Sequence, residues 1–582
     1  MRFCIIRFAK VSMLLLAASA AFGAERAPKL KTKPYTFEAA DGRKVEAELG
    51  ELRVPENRQA KDSRMLTLRF VRFPSTAAEP GPPIIYLAGG PGGSGIDAAR
   101  GPRFPLFMAM REFGDVIAFD QRGTGMSGWE EIDCDEPYML PFGQAVNRET
   151  AGPILASAAA KCAERLTKKG VDVAGWDTLD SAADLDDLRR ALGVEKLRLW
   201  GISYGTHLAL ATMKYHPGAV DRVVLAGVEG LDQTLKLPSD QQRLLEEIAR
   251  LAKADPEVRE ALPDFLGSIR RLLDRLAKEP ATVPLTDPGS GMTVGVTVGA
   301  LDLQGALAAM LRGPDSFAIL PDFVYRLENG DWTALALLAG GQRFGEIPRM
   351  MALAMDCASG ASQGRRERIE REARSTLLGD AINAPFPEVC AGVPIPDLGH
   401  DFRAPVESSI PALLISGTLD GRTPVENGEE VARHLANAVH LVIEGAGHSD
   451  PLFLSSPQIL EAMQAFLREE RIPTTRIVLE NPVDFVPPRT VTDLLPEALD
   501  RLVGNYRIDK GDARRVTRVG SLLFTQRGRS QALPIRPTSP TRFFYEGSKS
   551  WLDFVIGEEG KVEGMRMHHE GAEEAEWAEK VE

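Results

Sequence analysis

Apolar and polar positions alternate along "KVEAELGELRVPEN" and "RMLTLRFVRFP", which predicts two strands with one face buried and the other wet. The pattern then changes to short continuous apolar runs, "PPIIYLAGG", "DVIAFDQRG", "LRLWGIS", "DRVVLAGVEG", "PALLISGTLDG" and "HLVIEGAGH". A run of this kind suits a strand covered on both faces. Helical segments separate most of the runs, so the succession predicts an α/β fold with a mainly parallel sheet covered on both sides.

The strand runs stop between Leu231 and Pro405. Segments such as "SDQQRLLEEIARLAKA" and "PDFLGSIRRLLDRLAKE" carry apolar residues at helical spacing instead. Because "PALLISG" resumes the earlier pattern, residues 231–405 read as a helical cap inserted between a first core segment, 34–230, and a second, 406–472. The stretch "PTTRIVLENPVDFVPP" reads as a linker over 473–495. Residues 496–582 alternate again, with glycine-bearing turns, and predict a small C-terminal antiparallel β domain.

The first residues are set apart by Arg2, Arg7 and Lys10 ahead of "VSMLLLAASAAF", with small residues near Ala21 and Gly23. This is the layout of a secretory signal peptide over 1–23, and the apolar run is shorter than the ~20 residues needed to span a bilayer. The expected destination is the periplasm or the outside of the cell. A chain of 582 residues exceeds a single core, and a net charge of -13 without a basic stripe argues against nucleic-acid partners and, after signal cleavage, against membrane binding. Of five cysteines, Cys4 leaves with the signal peptide. Cys134, Cys162, Cys357 and Cys390 remain, an even number that suggests two disulfides in an exported protein. Three pairings are possible. The sequence-local one closes the shortest loops, and the alternative is four buried thiols. No cysteine or histidine spacing points to a metal, and no cofactor is expected.

The candidate chemistry begins at "WGISYGTHLA", where Gly-Ile-Ser-Tyr-Gly leaves a strand and enters a helix. Glycines flanking a serine permit the tight turn that holds a nucleophilic hydroxyl above a sheet, although a serine there can also simply cap the helix. If Ser203 is a nucleophile it needs a base, and His448 in "EGAGHSD" follows a buried strand in a glycine-rich loop. The base needs an orienting carboxylate, and Asp420 in "GTLDGRTP" also follows a buried strand. An oxyanion would be met by the backbone N–H of Tyr204 and by one from the loop "AGGPGGSG", with Gly90 ahead of Gly89. That loop lacks the Lys-Ser/Thr ending and the spacing of a phosphate-binding loop.

Together "GGPGGSG", "DQRGTGMS", "GISYGTHLA", "GTLDGRTP" and "GAGHSD" resemble the proline iminopeptidase and tripeptidyl aminopeptidase branch of the α/β-hydrolases, from about Val45 to Leu467. The resemblance implies a Ser, Asp, His triad, an oxyanion loop at Gly89 and Gly90, and release of residues from peptide N-termini, often with proline. Asp120, Gln121 and Arg122 match the motif after the next strand, Asp120 and Arg122 reading as structural. Ala88 stands where many iminopeptidases have histidine, which leaves the released unit open.

The leading reading is therefore a secreted serine aminopeptidase acting on a peptide or small ester substrate through an acyl-enzyme on Ser203. A carboxylesterase or lipase would use the same triad under a different cap, and a non-catalytic binding protein on a hydrolase fold is a third reading. A site that accepts only chain ends should bury a carboxylate for the charged amine, and Glu229, where the chain leaves "RVVLAGV" for the cap, is the candidate by position. Its alternative is a loop carboxylate in solvent.

Overall fold

The computed structural model describes residues 28–581 apart from 129, 131, 287–290, 348 and 509–511, so the signal-peptide stretch 1–23 lies outside the described residues. Ten strands form one sheet: β1 (Leu30–Glu38), β2 (Lys44–Pro55), β3 (Met65–Phe73), β4 (Gly81–Leu87), β5 (Gly114–Phe119), β6 (Leu197–Ser203), β7 (Val220–Val228), β8 (Ala412–Gly417), β9 (Ala438–Glu444) and β10 (Arg476–Val478). Their spatial order is β1-β2-β3-β5-β4-β6-β7-β8-β9-β10. The strands β1, β2, β3 and β5 pair antiparallel, and every pairing from β5 through β4 to β10 is parallel.

Successive residues of the central strands feed opposite layers, as a strand's two-residue period requires. Ile85, Leu87, Leu199 and Leu225 pack with Leu185, Leu188 and Leu208 on one face. Ile84, Tyr86, Trp200 and Val224 pack with Phe107, Met463 and Phe466 on the other. The helix Thr178–Leu192 on the first face shows why the chain turns where it does. Asp177 caps its start by accepting the N–H of Asp180, and Gly193 ends it in the left-handed region at φ 70.

Between β7 and β8 the chain builds the cap around a core of its own. In the helix Phe265–Lys278, the buried residues Phe265, Ile269, Leu272 and Leu276 recur on one stripe. The cap is not wholly helical, since Ala281–Thr286 pairs antiparallel with Thr293–Val298. Phe344–Glu346 also pairs with Pro137–Met139, which ties the cap to a loop of the first core segment. A further difference lies in the stretch read as a linker: Ile477, buried between exposed Arg476 and Val478, brings β10 onto the sheet edge beside β9.

The C-terminal strands β11 (Gly504–Ile508), β12 (Ala513–Val519), β13 (Leu522–Arg527), β14 (Leu533–Pro537), β15 (Arg542–Tyr545), β16 (Trp551–Ile556), β17 (Val562–His568) and β18 (Glu576–Val581) close into an antiparallel barrel. Its interior is filled by side chains including Tyr506, Phe543, Leu552, Phe554 and Met565. Arg326 to Glu546 and Arg536 to Asp331, each at 2.8 Å, join the barrel to the cap. Among the described residues no helix is long and apolar enough to cross a membrane.

Candidate active site

Strand β6 ends at Ser203, whose φ of 55 and ψ of -127 place a residue with a Cβ in a sparsely populated region. The flanking glycines follow from contact distances. A Cβ on Gly205 would lie 2.1 Å from the Leu87 carbonyl oxygen, and one on Gly201 would lie 2.6 Å from that of Gly205. Ser203 is followed at once by the helix Tyr204–Tyr215, whose first N–H groups have no intrahelical partner. The loop after β4 lies against the serine, since a Cβ on Gly89 would come within 2.8 Å of the Ser203 Cβ. Gln121 donates to the Ala88 carbonyl at 2.9 Å, and Asp120 accepts from the Ser94 hydroxyl at 2.7 Å and the Ile96 N–H at 3.1 Å, which anchors both ends of this loop. Arg122 instead holds Asp184 through two contacts of 2.8 Å within the core.

Asp420 lies just beyond β8, and its Oδ2 meets His448 Nδ1 at 2.8 Å. Its Oδ1 accepts the N–H groups of Arg422 and Thr423, each at 2.8 Å, and the Thr423 hydroxyl donates to Oδ2 at 2.8 Å. Burial alone would raise this carboxyl, but the charge of His448, its hydrogen bond and the two N–H donors prevail and hold Asp420 below the usual carboxylate value. Because Nδ1 faces the carboxylate, Nε2 is the nitrogen left for a reacting group. Gly227, at φ 59, makes room for this pair: a Cβ there would lie 2.9 Å from the Thr423 hydroxyl and 3.3 Å from His448 Cε1.

Ser203 and His448 line one pocket of about 450 Å³, together with Gly89, Gly90 and Glu229. A larger cleft of about 700 Å³, beside Arg222 and Pro473, holds neither of them. Glu229 is buried rather than in solvent, and Lys236 Nζ approaches its Oε2 at 2.6 Å. Burial lowers the Lys236 ammonium and Glu229 opposes that shift. Asp356, on the cap helix Met350–Ser359, also lines the pocket, and burial followed by the charge of Glu229 pushes it up to about 8 against Lys236 and Arg422. Lys236, Arg312 and Asp356 carry no local motif, and Arg422, although it stands inside "GTLDGRTP", draws no role from the sequence, so sequence reasoning misses them.

Disulfides join Cys134 to Cys162 and Cys357 to Cys390, each with Cα atoms 5.5 Å apart. The second fixes the helix that carries Asp356. Among the other histidines, His207 is buried with Nε2 3.1 Å from the Ser359 hydroxyl, and His568 stacks on Trp551 in the barrel. Among the described residues no cluster of three or more histidine, cysteine or acidic side chains is arranged to hold a metal.

Residues 82–272 match the model of the alpha/beta hydrolase fold, and residues 377–478 match the model described as TAP-like protein. The chain is 26% identical over 460 residues to the serine protease Hip1 of Mycobacterium tuberculosis, covering 72% of this chain and 84% of that one. It is 32% identical over 163 residues to a tripeptidyl aminopeptidase of Streptomyces coelicolor, covering 25% and 28%. It is 29% identical over 153 residues to a proline iminopeptidase of Xylella fastidiosa, covering 25% and 33%. With its mainly parallel sheet, its serine turn at the end of β6 and these matches on both sides of the cap, the chain belongs to the α/β-hydrolase family and is similar to these serine protease and aminopeptidase relatives.

Proposed function

We propose that this protein is an exported serine aminopeptidase that releases N-terminal residues or short peptides, proline-containing ones among them, through an acyl-enzyme on Ser203. The observation that carries the reading is the 2.8 Å contact between Asp420 and His448 in a loop that shares its pocket with the strained serine. Ser203 Oγ attacks the scissile carbonyl while His448 Nε2 accepts its proton and then returns it to the leaving amine. Asp420 fixes the imidazole tautomer and stabilises the imidazolium. The N–H groups of Tyr204 and of Gly90, with Gly89 second, receive the developing oxyanion, each such donor contributing about 10²–10³ in rate. Water then attacks the acyl-enzyme with His448 again as base.

Glu229 takes the free α-amine at the pocket wall, sharing its carboxylate with Lys236. A carboxylesterase would use the same nucleophile, but the ionised groups lining this pocket favour a charged peptide over an apolar acyl chain. The four bridged cysteines favour an oxidising compartment, in keeping with export.

The test is a panel of aminoacyl and short peptidyl chromogenic amides, each with a free and a blocked amino terminus. Free-amine substrates are expected to dominate. Glu229→Gln should weaken them about tenfold or more while barely changing an uncharged ester, since only the former loses an ion pair. Equal losses on both would reject the role of Glu229, and undiminished cleavage of blocked peptides by the wild type would reject the aminopeptidase reading.

A further inference from the structure

The cations around the Ser203 pocket are not equally engaged. Arg103 is bound to Asp450 at 2.7 Å and to the Ser449 hydroxyl at 2.9 Å, and it also donates to the Tyr86 hydroxyl. Lys236 is bound to Glu229. Arg312 and Arg422 remain. Both line the pocket, and among the described residues neither guanidinium has a hydrogen-bonded or ion-paired partner.

The two arginines stand on touching backbones although one belongs to the cap and the other to the core. A Cβ on Gly421 would lie 2.2 Å from the Leu311 carbonyl oxygen, so the residues just before Arg422 and Arg312 are in direct contact. The backbone N–H of Arg422 is tied to Asp420 Oδ1 at 2.8 Å, which fixes this cation relative to the acid that holds His448. Arg422 is half-buried and Arg312 is exposed, so the pair runs inward from the pocket surface. Burial and the repulsion of Arg312 pull the Arg422 guanidinium below its ordinary value, against Glu229, Asp420 and Asp356. Asp356 is the remaining anion of the wall. Burial and the charge of Glu229 raise its carboxyl to about 8, so it offsets the two charges less than an ordinary carboxylate would.

We infer that Arg312 and Arg422 form a carboxylate-binding subsite of the Ser203 pocket, which makes acidic peptides or short peptides with a free C-terminal carboxylate the preferred substrates. A guanidinium meets a carboxylate through two parallel N–H groups, and a concave, partly desolvated wall strengthens that contact. The inference rests on the proposal that the Ser203 pocket is the substrate site, and it adds a substrate class to it.

The experiment uses the full chain and two measurements. In the first, kcat/KM is compared for tripeptidyl chromogenic amides that differ as Glu against Gln at each acyl position, and for unlabelled tetrapeptides as free acids against C-terminal amides. One arm is expected to favour the acid about tenfold or more, the scale of a charge-assisted hydrogen bond. The arm that responds identifies the carboxylate as a side chain or a chain end. The preference should reside in KM, fall toward unity in Arg312→Gln and Arg422→Gln, and survive in part in the Lys variants at both positions. In the second measurement, glutarate and its neutral isostere glutaramide compete with hydrolysis of an uncharged activated ester, and only glutarate should inhibit in an arginine-dependent way. Peptides cleaved without any acid preference, with glutarate no better than glutaramide, overturn the subsite and leave the peptidase reading standing. A preference or inhibition unchanged by both Gln substitutions overturns it too. Arginine-dependent inhibition by glutarate without any peptide cleavage upholds the subsite and removes the peptidase reading.

Discussion

Ser203 offers a test in which two inactive variants should differ in stability. Both Ser203→Ala and Ser203→Gly lose the hydroxyl, but only the alanine keeps a Cβ at φ 55 and ψ -127. Such a conformation costs a residue with a side chain about 1–3 kcal/mol. Glycine gives back about 0.5–1 kcal/mol through the larger freedom of its unfolded state. The position is only partly buried, so the lost Cβ subtracts less than the ~0.8 kcal/mol of a fully buried methylene. At the middle of these ranges Ser203→Gly is more stable than Ser203→Ala by about 0.5–1 kcal/mol. Equilibrium urea denaturation of the two purified proteins, compared at equal slope, measures this difference. An alanine variant as stable as the glycine variant would refute the strain argument, and wild-type-like hydrolysis in either would refute the nucleophile.

Asp420→Asn should keep the fold and lower hydrolysis by roughly 10⁴, because the amide holds the wrong imidazole tautomer; steady-state kinetics with circular dichroism as the folding control checks it. Asp356 has its pKa raised by folding, so the folded state holds the proton more tightly and stability falls as pH rises from the ordinary carboxylate value of 3.8 through about 8. Thermal melts at pH 5 and pH 9 should show Asp356→Asn losing less stability over that range than the wild type, and parallel losses would contradict the assignment. Reducing the bridges, which span 28 and 33 residues, should cost about 3–4 kcal/mol each, and thiol titration of the unfolded, unreduced mature chain should find no free thiol.

The parallel strands are legible in the sequence because burial on both faces turns each into an unbroken apolar run, as in β4, β7 and β8. Ser203, Asp420 and His448 stand out for a related reason, since each sits where such a run gives way to a glycine-bearing turn. The strand β10 is not legible. Three residues carry no readable period, and only Ile477 is buried. The cap hairpin hides because the apolar helices around it dominate the segment, although "TVGVTV" alternates. The pocket's charges are the least legible part. Lys236, Arg312, Asp356 and Arg422 belong to separate segments, Arg422 alone inside a readable motif, and only the docking of cap on core brings them to one wall.

The pairing of β7 with β8, which sets Val223 beside Ala412, has a consequence for the life of the chain before it is complete. A ribosome delivers the serine first, then the entire cap, and only afterwards the acid and the base. Until Ala412–Gly417 docks along Val220–Val228 and Ala438–Glu444 follows it, the hydroxyl has no neighbour to take its proton when it attacks. On the proposed mechanism, a peptidase built in this order stays inert until its last core strands have docked.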